Sequence, residues 1–156
     1  METYRTFKAS NFKKVRRTFL GLMNIVLAMG STVDPSTTMS AVSRAQKSRV
    51  FYQRAVNICS KPSIKGASLE IVQYLLLASQ YLQGTQKSSQ TWTLHGLAVK
   101  GAFALGLHSN HASQRFSPLE NEVRKRTWFG CVLLDRVCKE CIPELRYLLI
   151  SMTFCM

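Results

Sequence analysis

Acidic residues are scarce in this chain. Only eight of its 156 residues are Asp or Glu, against 21 Lys and Arg, so the formal net charge is +13. Such an imbalance favours polyanionic partners, whether nucleic acid, an anionic membrane surface or an acidic protein. The excess is greatest in the first 17 residues, which hold one acid and six bases: Arg5, Lys8, Lys13, Lys14, Arg16 and Arg17.

These bases predict a basic N-terminal arm over residues 1–18. Lys13, Lys14, Arg16 and Arg17 are its candidates for non-specific nucleic-acid contact, because a cation that neutralises a phosphate reads no base sequence. The alternative is a solubilising tail or the solvated face of a helix.

Long hydrophobic runs are also missing. The two longest uncharged apolar runs, 19–29 and 147–156, are too short to span a bilayer as helices, so no membrane partner is predicted. The five cysteines are odd in number and no secretory leader precedes them. We therefore expect reduced thiols inside the cell.

Motifs that carry chemistry are absent too. There is no nucleophile elbow, no phosphate-binding glycine loop and no four-ligand zinc spacing. Cys138 and Cys141 form a lone C-x-x-C, which His108 and His111 would complete only from a distance. His95 and His108 are expected to serve in packing or capping. No catalytic residue, cofactor site or metal site is predicted, and the chain is not expected to be an enzyme.

What the sequence does contain is helical periodicity. Apolar residues recur at helical spacing, and no run alternates as a half-buried strand would. Ser68 is a good N-cap, Lys61-Pro62 is expected to end a helix, and residues 117–120 form a capping box. The predicted class is all-α, with helices at about 11–29, 41–59, 68–84, 89–105 and 117–140.

The fifth predicted helix is apolar on nearly every side from Thr127 onward, so we expect it to be buried. Glu120 with Arg124, and Glu122 with Arg126, stand at the i, i+4 spacing of helical ion pairs. Asp135 lies in the apolar part and is expected to pair with a cation or backbone donors from another segment.

Two stretches carry a family resemblance. Residues 68–108, ending in the Leu-Gly-Leu-His sequence, followed by EVRKRTWFGCVLLDR at 122–136, resemble the fungal-specific transcription factor domain. This is the middle homology region of fungal zinc-binuclear-cluster regulators. Residues 22–31 and 48–60 are similar to its earlier helices. The residues that match the family signature are Leu105, Gly106, His108, Glu122, Arg124, Arg126, Trp128, Asp135 and Arg136, whereas Phe129 replaces a common second Trp.

The resemblance implies a bundle-like regulatory domain over residues 19–136, acting in the nucleus through an effector or a coregulator protein. It implies indirect DNA binding, because the zinc cluster requires six cysteines in repeated groups that this sequence lacks. Past Arg136 the match fails, which predicts a divergent tail over 137–156 and a truncated domain. The alternative is an independent helical binding module whose basic arm contacts nucleic acid or an acidic protein.

Truncation would leave apolar helix faces uncovered, and residues 147–156 carry no charge. We therefore expect self-association of the isolated chain.

Overall fold

The computed structural model describes residues 16–33, 39–113 and 115–141. These residues form helices and turns without any strand, which confirms the all-α class. The helices are α1 (Arg17–Thr32), α2 (Ala41–Lys65), α3 (Leu69–Gly84), α4 (Ser88–Ala104), the single turn α5 (Asn110–Ser113) and α6 (Pro118–Cys141). Within the described ranges, none of them combines the length and the apolar character needed to cross a membrane.

Four of the five predicted helix starts lie within one residue of the structure, whereas the first helix, expected from about residue 11, begins at Arg17. The backbone N–H of Ile71 donates to the Ser68 hydroxyl, and that of Glu120 donates to the Ser117 hydroxyl, both over 3.3 Å. The predicted stop at Pro62 is wrong, because α2 continues to Lys65. Proline removes one hydrogen bond within the last turn, and the chain leaves the helix only at Gly66, whose φ of +143° is not helical.

The chain divides into two compact units, Met1–Lys65 and Gly66–Met156. In the first unit α1 packs against α2. Ile25 and Ala28 of α1 and Ala55 and Cys59 of α2 are fully buried. The helices approach closely because Gly21 has no side chain, and a Cβ there would overlap the Cys59 sulfur. The buried Ser48 hydroxyl donates to the Ala28 carbonyl over 2.7 Å and links the two helices.

In the second unit α3 has more buried residues than any other helix, among the residues that the structure describes. Its buried residues lie on more than one side: Ile71, Val72, Tyr74, Leu75, Ala78, Ser79 and Leu82. Val72 joins a core cluster with Ala102 of α4, Cys131 of α6 and Leu107 of the connecting turn.

The α4 helix buries a different face from the one its large residues suggested. Its buried residues are Thr91, His95, Ala98 and Ala102, whereas Leu97 and Phe103 are about half exposed. Leu97 stands at helical spacing with Leu94 and Ala98, but it does not face the core. Small residues turn inward because they allow close approach to α3, and a Cβ at Gly101 would lie 3.0 Å from Val72 Cγ2.

The α6 helix is buried along one stripe and not all round. Arg124, Thr127, Cys131 and Leu134 are buried, whereas Phe129 is 56% and Leu133 66% exposed. The expectation of all-round burial is wrong for these described positions, because α3 and α4 cover one face of α6 only. Exposed large apolar groups are consistent with the expected self-association, although residues 147–156 lie outside the described part.

The two buried thiols predict loss of stability in alkaline solution. Burial raises the pKa of Cys59 and of Cys131 from 9.0 to about 11. Between those values the unfolded thiols ionise while the folded thiols keep their protons, so the free energy of unfolding should fall as pH rises above about 9. Melting temperatures measured under reducing conditions from pH 8 to 10.5 would show this. A Cys59→Ala, Cys131→Ala double variant should show a shallower decline, and an equal decline would contradict the assignment to these thiols.

Candidate functional site

The predicted signature residues meet at the turn that ends α4. Gly106 has a φ of +65°, which glycine adopts without strain. Its N–H donates to the Phe103 carbonyl over 2.9 Å, and the N–H of Leu107 donates to the Ala102 carbonyl over 3.0 Å. This pair of bonds is a Schellman motif, and Leu107 inserts into the core cluster beside Ala102. The Leu-Gly-Leu-His sequence therefore ends one helix and anchors the following chain in the core.

Arg124 of α6 connects that turn to the last helix. Its Nη2 donates to the Leu105 carbonyl over 2.8 Å, and its guanidinium carbon lies 4.0 Å from the centre of the Phe116 ring. Asn121 holds the Phe116 segment in turn, donating from Nδ2 to the Phe116 carbonyl over 3.2 Å. Arg124 is only 6% exposed. The α4 helix thus receives a cation at its C-terminal carbonyls, which complements the helix dipole.

This placement overturns one sequence prediction. The expected Glu120–Arg124 ion pair is not formed, because the Arg124 guanidinium points inward to Leu105 and Phe116. A hydrogen bond from a charged group to a buried carbonyl stabilises more than an exposed i, i+4 pair, at roughly 1.5–3 against 0.2–0.5 kcal/mol. No sequence spacing pointed to Phe116, which the prediction missed.

Three rings pack beside the turn. Phe103 and Trp128 make an edge-to-face contact with centroids 5.3 Å apart. The His108 ring lies 5.0 Å from Phe103 and 5.9 Å from Trp128. The structure therefore brings His108 of the first motif and Trp128 of the second into one aromatic cluster.

Trp128 is half-buried, so its interpretation as a fully buried core residue is wrong. Full burial would make Trp128→Ala cost about 3–5 kcal/mol, and partial burial in the aromatic cluster lowers our expectation to about 1–3 kcal/mol. Urea unfolding of the variant would measure it. Phe129→Ala is the neighbouring control, because Phe129 is 56% exposed and should contribute little. A larger loss for Phe129 than for Trp128 would contradict this packing.

The remaining charges of the same motif face solvent. Arg126 Nε lies 2.7 Å from Glu122 Oε1, which confirms the second predicted ion pair. The hydrogen bond and charge of Arg126 lower the pKa of Glu122. Lys125 and Arg136 are exposed. The basic run 124–126 therefore divides, with its first member inside and the other two outside.

Asp135 faces His95 of α4, with 3.6 Å between Oδ1 and Nε2. His95 belongs to another segment, as expected of the partner, but 3.6 Å is longer than a hydrogen bond and the imidazole is a cation only when protonated. The Asp135 side chain is 35% exposed, however, so it is less buried than its apolar surroundings suggested, while that of His95 is 2% exposed. The packing role predicted for His95 agrees with its burial.

The other predicted positions are only partly described. Arg16 and Arg17 are exposed at the start of α1, and Lys13 and Lys14 lie outside the described residues. Cys138 and Cys141 lie in the last turns of α6, where their side chains are not described. Across the described positions, no group of three or more His, Cys, Asp or Glu side chains is placed to hold a metal ion.

The described residues of the second unit form a cavity and a groove. A cavity of about 530 Å³ adjoins the turn after α4 and includes Leu105, Phe116 and Arg124 in its lining. A groove of about 340 Å³ between α3 and α6 is lined mainly by apolar residues, among them Leu76, Leu133 and Leu134. The helices approach closely there, since a Cβ at Gly130 would lie 2.7 Å from Leu76 Cδ2.

Comparison with known proteins gives a family match over most of the chain. Residues 2–141 match the fungal specific transcription factor domain. The transcription factor FBD3 of Gibberella moniliformis (strain M3125 / FGSC 7600) is 40% identical over 136 residues, which are 87% of this chain and 18% of that protein. The activatory protein CHA4 of Saccharomyces cerevisiae is 32% identical over 133 residues, covering 74% of this chain and 20% of its own length.

A second transcription factor FBD3, from Fusarium pseudograminearum (strain CS3096), is 40% identical over 86% of this chain and 17% of its own length. The chain thus spans about a fifth of the length of the curated relatives that it matches. No solved structure matches the fold.

Proposed function

Because the chain belongs to the fungal-specific transcription factor domain family, whose members are transcription factors and not enzymes, we propose that it regulates the activity of a fungal transcription factor as its middle domain. The chain contains no zinc cluster, so DNA is contacted through a zinc-cluster domain elsewhere in the longer protein. The proposed site of action is the nucleus, and the proposed partners are an effector or a coregulator protein.

The observation that carries the proposal is the bond between Arg124 and the Leu105 carbonyl. It joins the two sequence motifs on which the family resemblance rests. Leu105, Gly106, His108, Arg124 and Trp128 form one structural unit around it. A domain that regulates by changing shape needs such a defined contact between its helices, because only a discrete contact can be broken or strengthened by a partner.

A reporter assay tests this proposal. The whole chain is fused to an unrelated DNA-binding domain and an activation domain, and transcription is compared with that of the fusion lacking the chain. We expect the chain to change the output at least threefold, and Arg124→Gln to abolish the change. Arg126→Gln is the matched control and should behave as the parent. At equal protein levels, an output unaffected by the chain would contradict the regulatory role.

The second candidate, an independent module for acidic partners, is favoured by the charge distribution. Residues 1–65 hold twelve of the 21 basic residues and two of the eight acidic residues. Lys47, Arg49 and Arg54 of α2 are exposed, so the positive surface extends beyond the arm. Under this candidate the chain binds DNA without sequence preference, and affinity falls with salt by about 0.9 log units per log unit for each phosphate neutralised.

Fluorescence anisotropy with two unrelated duplexes distinguishes the candidates. Deleting residues 1–17 should remove most of any affinity. Equal, salt-sensitive binding to both duplexes would support the module. A strong preference for one duplex that survived the deletion would contradict the proposal that the DNA reader lies outside this chain.

A further inference from the structure

The charge of Arg124 is not neutralised by any described carboxylate. The side chain is 6% exposed, and its fully buried Nε donates to no acceptor among the residues that the structure describes. Its contacts are the Leu105 carbonyl and the face of Phe116, both of which are uncharged. Burying a cation carries a desolvation cost, and the hydrogen bond and ring contact of Arg124 offset that cost without supplying the opposite charge that would pair with it.

The cavity beside Arg124 has the chemistry to receive such an anion. The exposed side chains of Arg115 and His111 also line it, and none of the described lining residues is Asp or Glu. Phe116 and Leu105 contribute apolar surface on the same cavity. Its volume of about 530 Å³ lies within the range of small-molecule sites, roughly 300–1,000 Å³.

We propose that this cavity binds a small organic acid. The carboxylate lies against the guanidinium groups of Arg124 and Arg115, and the hydrocarbon part packs on Phe116 and Leu105. Planar guanidinium groups match the geometry of carboxylates, and the apolar lining favours an organic anion over inorganic phosphate. Since Arg124 also holds the end of α4, the bound acid would stabilise the contact between the α4 turn and α6.

Binding is tested on the whole chain at constant ionic strength. Melting temperatures are measured against benzoate and butyrate, against their neutral counterparts benzamide and butyramide, and against phosphate. We expect a saturable rise with each acid, little effect of the amides and weaker binding of phosphate. No saturable effect of either acid, an equal effect of the amides, or phosphate binding as tightly as the acids would each overturn the proposal.

Variants locate the site. Arg115 is exposed, so Arg115→Gln should fold normally and weaken binding of the acids about tenfold or more, as expected for one hydrogen bond to a charged group. Arg126→Gln, on the outer face of α6, should leave binding unchanged. Equal losses in both variants would show general charge attraction and refute the site. The comparison of Arg115→Gln with Arg126→Gln tests the location of the site even if Arg124→Gln fails to fold.

The biological role of this site rests on the proposed function, in which the bound acid would be the effector of the regulatory domain. The binding itself does not depend on that function. Binding and regulation are measured separately. A chain that binds the acids but leaves the reporter unchanged would contradict regulation and not the site. A chain that regulates without binding them would contradict the site alone.

Discussion

Replacing Leu82 by Ala is expected to destabilise the second unit by about 2–5 kcal/mol. Leu82 lies at the end of α3 and is 1% exposed, among the largest fully buried side chains of the described residues. Its removal loses apolar burial and leaves a cavity that close-packed neighbours refill only in part. Urea unfolding followed by circular dichroism would measure the loss.

Leu119→Ala is the matched control for that experiment. The same atoms are removed, but Leu119 is 77% exposed in the first turn of α6. Its expected effect lies within about 0.5 kcal/mol. Similar losses in the two variants would show that α3 is not the centre of this core.

Arg124→Ala is expected to destabilise by about 2–4 kcal/mol. The substitution removes a hydrogen bond from a charged group, worth roughly 1.5–3 kcal/mol, and a cation–π contact worth roughly 0.5–2 kcal/mol. The Leu105 carbonyl, at the end of α4, then lacks the guanidinium donor that Arg124 supplies. The two contributions share one side chain and do not add in full.

Arg126→Ala is the control, because Arg126 lies only two residues along the same helix. Its ion pair with Glu122 is exposed, with the Arg126 side chain 79% exposed, so the expected loss is much smaller than that of Arg124→Ala. Thermal unfolding in low and high salt separates the cases further, since salt screens the exposed pair more than the buried contacts. If Arg126→Ala cost as much as Arg124→Ala, the inward placement of Arg124 would be wrong.

Local signals in the sequence were sufficient to predict the helices. Ser68 and Ser117 cap α3 and α6 because a hydroxyl can accept the free backbone N–H groups of a first turn. Gly106 ends α4 because the turn needs a left-handed residue. The predicted helix end at Pro62 was wrong, because the loss of one hydrogen bond near the end of α2 did not terminate the helix.

Packing directions could not be read in the same way. Phe129 and Leu133 are large and apolar, and the sequence predicted them inside, yet both are exposed. Leu97 of α4 is exposed as well. Burial of a hydrophobic side chain stabilises the fold, but the sequence does not show which neighbouring helix will cover that side chain. The small residues of α4 instead face α3, because close backbone approach favours side chains without bulk.

The sequence by itself determined the helical class, the starts of α2, α3, α4 and α6, and the family, because these depend on neighbouring residues and on a recognisable order of residue types. Only the tertiary structure decided that Arg124 contacts Leu105 and Phe116 instead of the expected Glu120. It also decided that Asp135 faces His95. The contacts of Arg124 with Leu105 and of Asp135 with His95 join residues 19 or more positions apart, and that with Phe116 joins a helix to the segment before it. Their energies depend on burial and distance, which exist only after the helices have packed.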